Sequence, residues 1–330
     1  SSRSLGIQLR AARTLDAMRS RGLDFRGRRV HFVQVGLGTN TTFVQNCGGE
    51  AGTWDGSVDW LLSACSEVAP SRITGVAVEP VSELVEALHA PASKLQGVDL
   101  VQAAVGEENL CLELSVLPLG FCDRLLQAVP DDRKAALRDR LEYLLNMGCV
   151  GGEHPFVPQD CERIFQEFGV RVVFERRDAQ VWTWSRLSEV CNFRGCEVLL
   201  VDAEGSDARI LRSLIRHCRQ DPDSWPWVIQ FETMGHCDHM EGPGTEWAVI
   251  SELEASGYML LHYSWVNTQL AWKPALQSEP RLWNWAQSWA CHLCRRWSVF
   301  PYVSDDAGTY CRRFNEPHRR RLRRRSGRAR

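Results

Sequence analysis

From residue 30 onward, short apolar runs alternate with stretches whose apolar residues recur every three to four positions. The first kind fits strands buried on both faces and the second fits helices laid over them, so the repeating order predicts a parallel sheet covered on both sides. Val30 to Val35 reads as the first strand, followed by the turn Gly36-Leu37-Gly38. Turn-forming residues over 46–56 delay the first helix to about residues 57–66. Ile73 to Glu79 reads as the second strand, closed by Pro80, with a helix from Val81 to His89 after it. Val98 to Val105 reads as the third strand, and Leu110 to Leu117 alternates like an edge strand. Further strands are expected at Val170 to Phe174, Val198 to Val201, Val228 to Glu232, Tyr258 to Tyr263 and Asn267 to Trp272, with helices over 206–217 and 245–256. The expected class is a doubly wound α/β fold built on a mostly parallel sheet of about seven strands.

The strand pattern lapses between Gly120 and Glu167, where Leu137, Leu141, Leu144 and Leu145 form a helical stripe. A helical insertion over about 120–167, placed like a lid, is the expectation. Beyond 273 the chain changes character: five of the thirteen tryptophans lie within 272–297, and Leu282, Trp285, Trp289 and Leu293 fall at helical spacing. That spacing suits a helix packed on the body, or one that meets a partner or a membrane surface. The expected organisation is an N-terminal helical extension over 1–29, an α/β domain over 30–273, a Trp-rich extension over 274–311 and an Arg-rich tail over 312–330. Ser1 to Leu15, with Arg3, Arg10 and Arg13 and no acid, suits a solvated first helix or an organelle transit peptide.

Charge sharpens this division. Ten arginines against one acid, Glu316, give 312–330 a charge of +9, so the rest of the chain carries −11 within the overall −2. A block of like charges with almost no apolar residue predicts a disordered tail, suited to targeting or weak polyanion binding. An acidic body argues against a nucleic-acid-binding face on the folded domain, although the tail keeps a protein that binds or acts on nucleic acid as an alternative. No apolar stretch approaches the roughly 18 residues of a membrane span. Thirteen scattered cysteines in a chain of 330 residues favour a reducing compartment, cytoplasm or nucleus, with organelle import left open. Cys291-His292-Leu293-Cys294 with Cys311 lacks the paired second half of a zinc site.

In open α/β sheets ligands bind beyond the carboxyl ends of the strands, so the strand-to-helix junctions are the places to search. The first junction, Gln34-Val35-Gly36-Leu37-Gly38-Thr39-Asn40, offers glycines that let a ligand approach the backbone. At the second, Glu79 ends a strand, where a carboxylate can accept both hydroxyls of a ribose or simply meet a helix N-terminus. At the fourth, the apolar Val198 to Val201 delivers Asp202 and Glu204, spaced so that an extended chain would carry both on one side, before Gly205, Ser206 and Asp207 begin a helix. At the fifth, Glu232 is followed by Thr233-Met234-Gly235-His236-Cys237-Asp238-His239, whose histidines suit metal ligands, general bases or loop polar groups.

The run Leu200-Val201-Asp202-Ala203-Glu204-Gly205-Ser206-Asp207-Ala208-Arg209-Ile210-Leu211 resembles the hallmark of the FkbM family of S-adenosylmethionine-dependent methyltransferases, a Rossmann-like class that methylates mainly hydroxyl oxygens. Trp184 to Val190 resembles the segment upstream of it, Ala104-Val105-Gly106 the turn after the third strand, and Glu79 the ribose-binding acid; the resemblance spans about 30–273. It implies that Gln34, Gly36, Gly38, Asn40, Glu79 and the turn Gln102-Ala103-Ala104 hold S-adenosylmethionine. It further implies that Asp202, with Glu204, Glu232 or His236, positions or deprotonates the hydroxyl of a small-molecule or glycan acceptor. A divalent cation such as magnesium, on Asp202, Glu232 and His236, is one route to that end. Two positions depart from the family pattern: Gln34 stands where an acid usually ends the first strand, and Asn40 where a further glycine is usual. Gln34 hydrogen-bonds but cannot ion-pair with the amino-acid end of the cofactor, which implies weaker binding and keeps a catalytically inactive scaffold as an alternative.

Overall fold

The computed structural model describes residues 30–37, 73–86, 97–118, 120–148, 157–263 and 267–278. All of them fall in one compact unit, 1–287. The expected N-terminal extension, the helix over 57–66, most of the Trp-rich extension and the Arg-rich tail lie outside the described residues. Among the described residues no helix is long and apolar enough to cross a membrane.

A seven-stranded sheet forms the body. Its strands are β1 (Val30–Val35), β2 (Ile73–Glu79), β3 (Val98–Gln102), β7 (Val198–Val201), β8 (Val228–Glu232), β9 (Tyr258–Tyr263) and β10 (Asn267–Trp272). Across the sheet they run β3-β2-β1-β7-β8-β10-β9. β1 pairs in parallel with both β2 and β7, as do β2 with β3 and β7 with β8, while β10 lies antiparallel to β8 and β9. From β1 the chain steps outward to β2 and β3, then resumes on the other side at β7 and β8. Right-handed connections therefore place the helical turn at 82–86 and helix α5 (Asp207–Gln220) on opposite faces. This is the Rossmann-like α/β arrangement that the alternating pattern predicts.

The packing explains why the runs read so clearly. β7 is the middle strand and all four of its residues, Val-Leu-Leu-Val, are buried, as a central parallel strand requires. Val33, Val35, Val76, Val78, Leu199, Val201, Ile229 and Phe231 share one core with Ile210, Leu211 and Leu214 of α5 and with Val249, Ile250 and Leu253 of α7 (Thr245–Ala255). Each such side chain withdrawn from water contributes about 1.5–3 kcal/mol. Tyr258 carries a polar tip into this core, and its hydroxyl donates to the Pro226 carbonyl at 2.6 Å.

The middle of the chain departs from expectation. The third strand breaks at Ala103, whose N–H donates to the Glu79 carbonyl; β3 stops at Gln102, and β4 (Ala104–Val105) enters a second sheet. That sheet has the order β4-β6-β5, with β5 (Leu110–Val116) antiparallel to β6 (Glu175–Trp182). Leu110 to Val116 is thus an edge strand of the small sheet, not of the large one. Val170 to Phe174 is not a strand: Val170 is buried among the helices of the insertion, with Val172 and Phe174 packed beside it. Their alternation serves a helical core, and the true strand β6 is the polar run after it. The insertion itself is helical, comprising α1 (Phe121–Gln127), α2 (Asp131–Gly148) and α3 (Val157–Phe168) around Leu137, Leu141, Leu144 and Ile164. Arg177 of β6 reaches Glu83 at 2.7 Å, which ties the small sheet to the helical turn after β2.

Candidate functional site

The strand order reverses between β1 and β7, so the crevice above their carboxyl ends is the topological switch point where ligands of such sheets bind. Gly36 turns the chain there with φ +83. Its N–H donates to the Val78 carbonyl at 3.0 Å, and the Asp202 N–H donates to the Val35 carbonyl at 2.9 Å. A Cβ on Gly36 would stand 1.8 Å from the Asp202 carbonyl oxygen, so only glycine lets the two strand ends close on each other.

Glu79 is 2% exposed and spans this turn. One carboxylate oxygen accepts from the Leu37 N–H and the other from the Val81 N–H, each at 3.1 Å. It thereby fixes the β1 turn against the helical turn after β2. Gln34, 8% exposed, donates its side-chain Nε2 to the Gly36 carbonyl at 3.3 Å. Its Oε1 is buried with no hydrogen-bond partner among the described residues, a costly state for an amide oxygen unless a donor arrives. Ala103 is buried against Glu79 through its backbone, and Gln102, opposite Glu79 in the β2–β3 register, is exposed. Gln34, Gly36, Glu79 and the 102–104 turn thus lie along one stretch of the sheet's carboxyl edge. Gly38 and Asn40 lie outside the described residues.

The acidic half of the edge continues from Asp202. β7 ends at Val201, and Glu204 adopts φ +48, so the extended geometry that would have aligned Asp202 with Glu204 is broken. Glu204 turns instead toward Glu232, at the end of β8, and His236, which opens the short helix α6 (His236–Glu241). His236 Nδ1 lies 2.9 Å from Glu232 Oε2 and 3.3 Å from Glu204 Oε2. The three residues bring one donor atom each within 4.8 Å of one another, and Asp202, one of the three expected metal ligands, is not a member of this group. Burial acts to lower the His236 pKa, but the hydrogen bonds and charges of Glu204 and Glu232 outweigh it and raise the imidazole to about 10. At neutral pH His236 is a cation between two carboxylates.

Two further acids support this arrangement. Asp207 is 1% exposed and accepts from the Gly205 N–H at 3.2 Å, capping the turn that carries Glu204. Burial first, and the Glu232 charge second, push its pKa up to about 7. Glu246 on α7 accepts from the Gly235 N–H at 2.7 Å and so fixes the turn that delivers His236. Burial, with Asp238 beside it, pushes Glu246 up to about 8. The sequence carries no signal for Glu246: it lies ten residues beyond His236 on another helix, and only the fold returns it.

Fold and edge together define a Rossmann-like α/β protein with a topological switch point between β1 and β7. No protein-family model and no curated protein sequence matches the chain. Among solved structures it is similar to Aeropyrum pernix fibrillarin with natively bound S-adenosyl-L-methionine, at 9% identity and a TM-score of 0.32 over 78% of this chain and 74% of that one. It is also similar to precorrin-6y C5,15-methyltransferase from Geobacter metallireducens, at 11% identity and a TM-score of 0.32 over 79% and 86%. A third similar structure is the S-adenosylhomocysteine-bound Podospora anserina methyltransferase PaMTH1, at 9% identity and a TM-score of 0.31 over 80% and 78%. Likeness at this level assigns no activity to this chain.

Proposed function

We propose that the protein is an S-adenosylmethionine-dependent methyltransferase acting on a hydroxyl oxygen of a small molecule or glycan. The observation that carries the reading is the buried Oε1 of Gln34 beside the Gly36 turn, which has no hydrogen-bond partner among the described residues. It is an acceptor held at the switch point, and the ammonium of an amino-acid cofactor is a donor that fits it. Glu79 is the matching group for ribose hydroxyls: its carboxylate ends β2 at the switch point and holds the turns on either side through the Leu37 and Val81 N–H groups. The resemblance of Leu200 to Leu211 to a methyltransferase hallmark selects S-adenosylmethionine among nucleoside cofactors. When bound, that cofactor supplies an activated methyl group on a sulfonium.

The chain's own residues then have two tasks, to align the acceptor oxygen and to take its proton. Without an ion His236 is already protonated between Glu204 and Glu232 and cannot accept a proton at neutral pH, and with one its Nδ1 would be occupied as a ligand. The general-base role therefore falls to Asp202, which follows the buried strand β7 and sits beside Gly36. Glu204, Glu232 and His236 position the acceptor from the neighbouring strand end, and a divalent cation such as magnesium belongs to this reading. Calorimetric titration of the full chain with S-adenosylmethionine tests the proposal. One site per chain, weakened in Gln34→Leu, is the expected result; no binding to the folded protein refutes it.

A further inference from the structure

The geometry points to a divalent-cation site of the Mn²⁺ or Mg²⁺ type built from Glu204 Oε2, Glu232 Oε2 and His236 Nδ1. The ion's binding follows from these residues alone, while its use in placing an acceptor hydroxyl rests on the methyl-transfer reading. Three separate elements deliver the donors: the turn after β7, the end of β8 and the first residue of α6. Adjacent ligands on an octahedral ion, bonded at about 2.1 Å, stand about 3 Å apart. The imidazole nitrogen lies 2.9 and 3.3 Å from the two carboxylate oxygens, the spacing of adjacent ligands, and all three atoms fall within 4.8 Å. Three protein donors leave the remaining positions of such an ion for water or substrate oxygens.

Proton accounting favours the same occupant. Nδ1 carries a single hydrogen, which can lie along the line to one carboxylate oxygen and not also along the line to the other. A divalent ion meets all three atoms at once. Two oxygens and one nitrogen suit Mn²⁺ or Mg²⁺ better than zinc, whose structural sites are rich in cysteine and histidine. Entry is open on one side: the Glu204 side chain is 26% exposed while that of His236 is 4% exposed. Asp207 and Glu246 hold the two turns in place through the Gly205 and Gly235 N–H groups, so the donors are supported from behind.

The test uses the full chain, stripped with chelator and titrated with Mn²⁺ under electron paramagnetic resonance. One Mn²⁺ per chain is expected, with spin-echo modulation from a directly bound imidazole nitrogen. That modulation should vanish in His236→Gln, and Glu204→Gln should weaken Mn²⁺ binding at least tenfold. No stoichiometric Mn²⁺, no nitrogen modulation in the wild type, or modulation that persists in folded His236→Gln overturns the site. If His236→Gln melts cold, Glu204→Gln decides, and unchanged Mn²⁺ affinity there overturns it. S-adenosylmethionine titration of the same samples separates the two ideas. Cofactor binding without Mn²⁺ leaves the methyltransferase reading standing and removes the ion, and Mn²⁺ binding without cofactor does the reverse.

Discussion

Replacing Gly36 by alanine probes the junction on which the crevice depends. At φ +83 a residue with a Cβ pays about 1–2 kcal/mol for the left-handed backbone alone. The Cβ would also stand 1.8 Å from the Asp202 carbonyl oxygen, which is backbone and cannot rotate away. Relief requires the β1 and β7 ends to part, at the expense of the Gly36–Val78 and Asp202–Val35 hydrogen bonds, about 1 kcal/mol each. The total expected loss is about 3–4 kcal/mol. Gly169 supplies the control: its φ is +72, but among the described residues nothing lies within 4 Å of the added Cβ, so Gly169→Ala should cost only the backbone share of about 1–2 kcal/mol. Urea unfolding of both variants, followed by circular dichroism, reads the difference. Gly36→Ala should also lose cofactor affinity, measured by calorimetry, because Asp202 and the turn move together. Equal destabilisation of the two variants would refute the close approach of β1 and β7 as the reason for glycine at this position.

Glu79→Ala removes a buried acceptor from two backbone N–H groups and should cost about 3 kcal/mol in urea unfolding, together with a fall in S-adenosylmethionine affinity of about 1.5–3 kcal/mol. Unchanged affinity in the folded variant would leave Glu79 as a turn clamp only. Asp202→Asn should leave the melting temperature nearly unchanged and lower methyl transfer at least ~100-fold, and normal turnover would pass the general-base role elsewhere. The His236 proton sets a pH dependence: the folded chain retains it to about pH 10, whereas the unfolded chain releases it near 6.5. The folded state then binds more protons between those values, so this contribution to stability is complete below pH 6.5 and is lost as pH rises toward 10. Unfolding free energies in metal-free buffer from pH 6 to 10 should fall more steeply for the wild type than for His236→Gln, and equal slopes would contradict the ion-paired imidazole.

What the sequence determines by itself follows from local pattern. Val198 to Val201 is legible because a middle strand must be apolar on both faces; the turn at Gly36 is legible too, but the reason for its glycine, the Asp202 carbonyl at the end of β7, is not. The same locality misleads at Val170 to Phe174, where an alternating run packs onto the insertion's helices, and at Glu175–Trp182, where a polar run is a strand because β5 pairs with it. The candidate site divides the same way. Asp202, Glu204, Glu232 and His236 stand out in the sequence because carboxylates and histidine at strand ends need a reason to be there. Their grouping does not: spacing along an extended chain joins Asp202 to Glu204, whereas β7 stops at Val201 and Glu204 turns away at φ +48 to meet Glu232 and His236 on the next strand end and helix. Glu246 and Asp207 join the site only through hydrogen bonds to backbone turns. Strand identity is set by which residues flank one another along the chain and by burial. Which donors share a point in space is set by where strands end and how neighbouring strands align, and that depends on contacts between residues far apart in sequence.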